Sequence, residues 1–313
     1  MTATDTSGRS ASDGPSPLGA WLQAIRPATL TAALGPVAVG TGLAIGDGAF
    51  DASAAIAALL GATFIQIGTN LYNDYADFVK GADTDERLGP ARAVQRGWLG
   101  PRAVELGAYA AFGVAALFGA YLILVAGWPI LVIGVLSVLS GVLYTGGPAP
   151  LAYTGLGDLF VLLFFGLAAV GGTYYAQART IVPEAVAGGV AVGLLATAIL
   201  VVNNLRDRHT DEKAGKRTLV VRFGESFGRR EYLVCIVGAY LTAVAVVVAA
   251  YLSGASAWGW LAPLASFPLA VVETRRVMAA DGAALNPRLG GTARLGLIYA
   301  LLLALGTSLE VVS

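Results

Sequence analysis

The sequence predicts an all-α integral membrane protein of nine transmembrane helices, with its active site opening to the cytoplasmic side. Three observations carry that expectation. Of 313 residues, 56% are hydrophobic and only 13% charged, against roughly 25% charged in ordinary soluble domains. The apolar residues collect in charge-free runs, and a helix needs about 20 of them to cross the hydrocarbon. Finally, 19 of the 20 basic residues fall in segments that this division places on one face of the membrane.

The runs come in order. Residues 27–46 and 52–73 are each one crossing. Residues 106–157 carry no charge and suffice for two, broken near Gly127, Trp128 and Pro129. Residues 159–178 and 185–205 give two more. Residues 232–272 again hold two, broken at "SGASAWGW", and residues 295–309 supply the last and shortest. Residues 1–20, rich in Ser, Gly, Asp and Thr, read as a disordered amino-terminal tail rather than a cleavable signal, leaving 21–313 as a single transmembrane domain.

Charge fixes the direction. Arg9 and Arg26 precede span 1, and the loops after spans 2, 6 and 8 hold 17 further basic residues. Only Arg179 faces the other way. Positive residues stay cytoplasmic, so the amino terminus is placed inside and the protein in the cell membrane. Zero net charge gives no field for nucleic acid, and the lone Cys235 excludes an internal disulfide or a multi-cysteine metal site. The 41 glycines suit close helix packing in lipid.

Two polar stripes break the apolar pattern. At the end of span 2, Asn70, Asn73, Asp74 and Asp77 share an arc of about 100° on a helix. At the end of span 6, Asn203, Asn204, Asp207 and Asp211 do the same if the helix continues that far. Both stripes emerge on one side. A membrane–water boundary accounts for the charges of 92–102 and 225–231, but not for Asn and Asp aligned on one face, which are costly inside lipid. Their hard oxygens suit Mg²⁺, which bridges carboxylates to substrate phosphates. With Lys80, Lys216 and Arg217 nearby, the stripes describe a diphosphate clamp. His209, the only histidine, reads as a solvated neighbour.

At these residues the chain resembles the UbiA-type superfamily of intramembrane prenyltransferases. Asn73 and Asp77 match its first motif, and Asp207 and Asp211 its D-x-x-x-D motif, followed by Gly215 and Thr218 in "GKRTL". The family's third aspartate of the first motif falls here on Gly81, with Asp83 following. That spacing, "NDYADFVKGADTDERLGPAR", "YTGGPAPLAYTGLGDLFVLLFFG" and "IRPATL" are similar to the branch acting on 1,4-dihydroxy-2-naphthoate in menaquinone synthesis. Where that branch often has a basic residue within 147–150, this chain has Ala149.

The resemblance implies a UbiA-type bundle and Mg²⁺-dependent transfer of a polyprenyl group from polyprenyl diphosphate to 1,4-dihydroxy-2-naphthoate, with decarboxylation to demethylmenaquinone. It implies catalytic roles for Asp77, Asp207 and Asp211, and Mg²⁺ ligands among Asn73, Asp74, Asp77, Asp83, Asp207 and Asp211. Arg26, Asn70, Lys80, Tyr144, Asn204, Lys216 and Arg217 are the candidate substrate contacts. Membrane lipid surrounds the prenyl tail. Two alternatives stay open: another acceptor, such as 4-hydroxybenzoate, or a cation transporter. Transporters, however, place such sites near the midplane on broken helices.

Overall fold

The computed structural model describes residues 14–81, 88–147 and 150–310. These residues are helical and form no strand. Helix α1 (Pro17–Ile25) starts where Ser16 Oγ accepts the amide of Gly19. It therefore includes residues 17–20, which the sequence assigned to a disordered tail. Helix α2 (Pro27–Gly46) follows after one residue. Arg26 alone separates them, in the left-handed region at φ 55°. A residue before proline is kept from continuing a right-handed helix, and Pro27 enforces that break.

Helix α3 (Ala52–Val79) is opened by Asp51, whose Oδ1 accepts from Ala54 N at 3.0 Å. Helices α4 (Pro101–Ala126) and α5 (Trp128–Thr145) are divided by Gly127, at φ 84°, with Pro129 in the first turn of α5. The short α6 (Leu151–Thr154) and α7 (Gly157–Val161) lead into a π-helical stretch, Leu162–Ala168, and then α8 (Ala169–Ala178). Helix α9 (Pro183–Lys213) runs unbroken through the second polar stripe. After α10 (Leu219–Phe223) and α11 (Glu225–Leu252), a 3-10 segment, Trp258–Ser266, passes into α12 (Phe267–Ala279). Helix α13 (Asn286–Ser308) ends the bundle.

Among the described residues, eight helical segments are long and apolar enough to cross a membrane. They correspond to every expected span except the eighth. The reason is local. Residues 258–266 wind as a 3-10 helix around Pro263, so α12 alone has 13 residues, below the roughly 17 that a crossing needs.

Packing is close where side chains are small. Gly166 in the π stretch lies so near α9 that a methyl group there would sit 2.3 Å from the Gly189 carbonyl oxygen. Leu117, Leu124, Leu241 and Leu252 are exposed, as befits a surface solvated by lipid tails. One core joins α2, α8, α9, α11, α12 and α13, and a second joins α1, α3 and α4. Between them lies an open space.

Candidate active site

That space is a cavity of about 1200 Å³. Most of its wall is apolar, drawn from α2 to α5, the π stretch and α9. One end is polar, and both stripes reach it. Helices α3 and α9 are each continuous past their motifs, so Asn73 and Asp77 from one and Asn203, Asn204, Asp207 and Asp211 from the other line the same chamber. Lys216 joins them because Gly215, at φ 74°, turns the chain back after α9.

The carboxylates are neutralised in pairs. Arg92 donates to Asp77 Oδ2 at 2.8 Å, while Asp77 Oδ1 is buried without a hydrogen-bond donor among the described residues. Arg206 grips Asp207 with two nitrogens, at 2.8 and 2.5 Å, and also donates to Asn203 Oδ1 and Asn286 Oδ1. Lys216 Nζ lies 3.4 Å from Asp211 Oδ1. Burial lowers the affinity of the Lys216 ammonium for its proton, but the carboxylates of Asp77 and Asp211 outweigh this and hold its pKa above the ordinary lysine value. Thr145 donates to Asn73 Oδ1 at 2.6 Å.

Some expected site residues do other work in this structure. Asp74 is not on the cavity wall: buried to 1% exposure, it accepts the amide of Ala93 at 3.1 Å and holds the loop that carries Arg92. Lys80 is exposed and ties off α5, donating to the carbonyls of Thr145 at 2.6 Å and Gly147 at 3.1 Å. Arg217 is exposed, and its backbone amide donates to Tyr153 O. Asp83 lies outside the described residues, as do Pro148 and Ala149. Asn70 lines the cavity, yet its Nδ2 is engaged by Ile25 O and Thr29 Oγ1, both at 2.8 Å, which pins the α1–α2 turn. Arg26 and Tyr144 line the cavity.

Arg92 and Arg206 are the residues that the sequence did not single out. Arg92 stood in a stretch assigned to the membrane boundary, and nothing local marked it. Arg206 directly precedes Asp207 in "NNLRD". A basic residue beside a motif aspartate at the end of an apolar run is the signal that could have found it. The loop between α3 and α4 brings the two together: a Gly89 side chain would meet Arg206 Nη2 at 2.8 Å, and Asn286 holds Leu88 O at 2.8 Å.

A divalent cation fits this end of the cavity by donor chemistry. The wall offers hard amide and carboxylate oxygens, one of them buried and unpartnered on Asp77. Among the described residues no three of His, Cys, Asp and Glu converge on a single point. That matches Mg²⁺, which takes one or two carboxylates and completes its shell with water and phosphate oxygens. Guanidinium and ammonium groups beside these oxygens can take up diphosphate, bidentately in the case of arginine.

Comparisons with known proteins agree with this geometry. The chain is 40% identical over 298 residues to the 1,4-dihydroxy-2-naphthoate octaprenyltransferase of Escherichia coli, covering 93% of this chain and 96% of that protein. It is 38% identical over 285 residues to the protein of that name from Mycobacterium tuberculosis, covering 91% and 95%. The fold matches a UbiA homolog from Archaeoglobus fulgidus bound to GPP and Mg²⁺, with a TM-score of 0.69 at 19% identity over 94% of this chain and all of that one. It also matches a UbiA homolog from Aeropyrum pernix at 0.65 and 16%, covering 88% and 96%. Residues 33–305 match the model of the UbiA prenyltransferase family, and the chain belongs to that family.

Proposed function

We propose that this protein transfers a polyprenyl group from its diphosphate to 1,4-dihydroxy-2-naphthoate, with loss of the acceptor carboxylate as CO₂. One observation carries the reading: both Asn/Asp stripes and Lys216 line one end of a single cavity of about 1200 Å³ whose remaining wall is apolar. A diphosphate head and a long hydrocarbon tail need that division. The relatives in Escherichia coli and Mycobacterium tuberculosis bear the name of this activity over more than nine-tenths of their lengths.

Bound Mg²⁺, held among Asn73, Asp77, Asp207 and Asp211 with no more than two of the carboxylates to one ion, would supply neutralising charge to the diphosphate. The chain's own groups do the rest. Lys216 keeps its charge beside Asp77 and Asp211 and stabilises the leaving diphosphate. Its charge grows in the transition state, so a fixed cation there speeds departure rather than merely tightening binding. Arg92 and Arg206, seated on the carboxylates, are placed to exchange those partners for phosphate oxygens. The apolar wall excludes water from the allylic cation. Tyr144 faces that region from α5, where an aromatic ring attracts a cation. Arg26, held by the turn that Asn70 pins, is a partner for the acceptor carboxylate.

In this reading the amino terminus and the polar end of the cavity are cytoplasmic, and residues 258–279 make the eighth of nine crossings, with Glu273, Arg275 and Arg276 at its cytoplasmic end. That segment is 22 residues long and spans about 35 Å, allowing for the longer rise of its 3-10 part. The test is direct. Purified protein given polyprenyl diphosphate, Mg²⁺ and carboxyl-labelled dihydroxynaphthoate is expected to release labelled CO₂ in step with lipid-soluble prenylated naphthohydroquinone. Prenylation of 4-hydroxybenzoate in preference, with its carboxyl label retained, would reassign the acceptor.

A further inference from the structure

Asp158 is a buried carboxylate that the reading above does not use. It sits in α7, three residues after the turn at Gly155 (φ 77°), is 6% exposed, and lines the cavity. The carboxylate takes a hydrogen bond from its own backbone amide, but its Oδ1 is buried with no hydrogen-bond donor among the described residues. An acid in the first turn of a helix is favoured by the helix dipole, but that benefit is available at a water-exposed position. Burying an acceptor without a donor costs more than the dipole returns. The position needs a better reason.

The surroundings describe a ligand. Phe160 and Phe164 follow on the same wall, their rings stacked with centroids 5.9 Å apart. Gly157 has no side chain, and this lets the Tyr144 hydroxyl approach: a Cβ there would be 3.3 Å from it. Tyr144 from α5, and Glu231 and Cys235 from α11, lie within electrostatic reach of Asp158. Thr197 on α9 donates to its backbone carbonyl at 3.4 Å. Glu231 Oε2 is likewise buried without a donor among the described residues. None of these groups is basic. A diphosphate is repelled from such a place, whereas a flat apolar ring bearing a neutral O–H fits it.

We propose that Asp158 binds a ring hydroxyl of the aromatic acceptor and takes its proton during transfer. This rests on the acceptor reading of the previous section. The step balances internally. The hydroxyl proton moves to Asp158, and the oxygen's electron pair is pushed into the ring. The ring carbon bearing the carboxylate forms a bond to the allylic carbon, whose C–O bond has broken with its electrons leaving on diphosphate. The carbon–carbon bond to the carboxylate then breaks, CO₂ departs, and its electron pair restores the aromatic ring as the oxyanion. Asp158 returns the proton to that oxygen. No net proton is gained or lost, so a carboxylate sealed from bulk water suffices.

The full-length protein in detergent tests this with Asp158→Asn, which keeps size and removes the charge. Turnover at saturating dihydroxynaphthoate should fall by about 10²–10⁴-fold, the usual range for lost general-base catalysis. The Kd for polyprenyl diphosphate, measured without acceptor, should be unchanged. A second measurement uses the wild type and the two mono-O-methyl ethers of the acceptor. One ether, lacking the hydroxyl that Asp158 receives, should be turned over as poorly as the parent acceptor is by Asp158→Asn. The other should stay near the parent. The proposal is overturned if Asp158→Asn keeps turnover within about threefold, well short of that range. Donor binding lost in parallel with turnover, or both ethers reacting at the parent's rate, also overturns it. Failure of the wild type to prenylate dihydroxynaphthoate would instead sink the acceptor reading.

Discussion

Arg92 and Asp77 form a buried ion pair at 2.8 Å, with side-chain exposures of 8% and 5%. It joins the loop after α3 to the helix it has just left. Removing one member of a buried pair strands the other charge, at a cost of about 3–5 kcal/mol. Arg92→Ala should therefore lower the unfolding midpoint in detergent substantially. The double variant with Asp77→Asn should recover much of the loss, because the stranded charge is gone. Additive losses in the cycle would show that the pair is not the cause.

The carboxylates on the cavity wall should behave as a set. Asp77→Ala, Asp207→Ala and Asp211→Ala are each expected to reduce prenyl transfer by about 10²–10³-fold, as loss of one electrostatic group commonly does. Chelation by EDTA should abolish transfer, and added Mg²⁺ should restore it. Asp74→Asn should affect thermal stability more than transfer, since Asp74 holds Ala93 rather than facing the cavity. Steady-state rates and melting curves on the same preparations separate the two outcomes.

Asn70 offers a test at a distance from the aspartates. Its Nδ2 holds Ile25 O and Thr29 Oγ1 on either side of Arg26. Asn70→Ala removes both bonds, a loss of about 1–3 kcal/mol if the freed groups stay dry. Arg26 would then be poorly placed for the acceptor carboxylate. The acceptor KM should rise about 5- to 100-fold, by that energy, with donor KM little changed. An equal rise in both would place the fault in general folding.

Two lysines share one ring. Lys80 and Lys216 each place Nζ 5.4 Å from the centre of the Tyr153 ring, yet they should titrate in opposite senses. Partial desolvation of its ammonium against the end of α5 lowers the Lys80 pKa from 10.5, with Asp77 only partly opposing it. The pKa of Lys216 is raised above 10.5 by Asp77 and Asp211. For Lys216, the stabilisation is complete below 10.5, the unfolded value, and is lost as pH climbs through the higher folded one. For Lys80 the unfolded chain binds the proton more tightly, so its contribution rises with pH between the lowered folded value and 10.5. Stability of Lys216→Met relative to wild type should therefore improve above pH 10.5, and that of Lys80→Met should decline as pH approaches 10.5 from below. Melting curves across that range read both.

Orientation follows from the basic residues. In a Cys235→Ala background, single cysteines at Gly48 and Ala255 should react with a membrane-impermeant thiol reagent from the outside. One at Lys213 should react only after the membrane is opened. Labelling of Lys213 from outside in intact cells would invert the topology.

Much of this architecture was legible in the sequence, because lipid imposes a length and a charge rule on every span. Gly127 with Pro129 divided α4 from α5, and the stripes at Asn73–Asp77 and Asn204–Asp211 kept helical spacing to their ends. What escaped was set by tertiary neighbours. Arg92 and Glu231 stood in stretches that looked interfacial, but a loop folds the first under α3 and a neighbouring helix buries the second. Asp74 lies in the stripe by periodicity, yet one step around the helix turns it from the cavity to Ala93. The 3-10 winding around Pro263 also lay beyond any hydropathy rule.

The π-helical stretch Leu162–Ala168 has a consequence for phase along its segment. A π turn accommodates an additional residue compared with an α turn, so α7 and α8 are out of step when projected on one helical wheel. Deleting a single residue there would relax the stretch to α and leave α8 in its present orientation, because the π turn already absorbs the extra residue. Tyr174, which donates to Asp47 Oδ2 at 2.5 Å, would keep its acceptor, whereas the same deletion inside α8 before Tyr174 would turn its side chain away by about 100°.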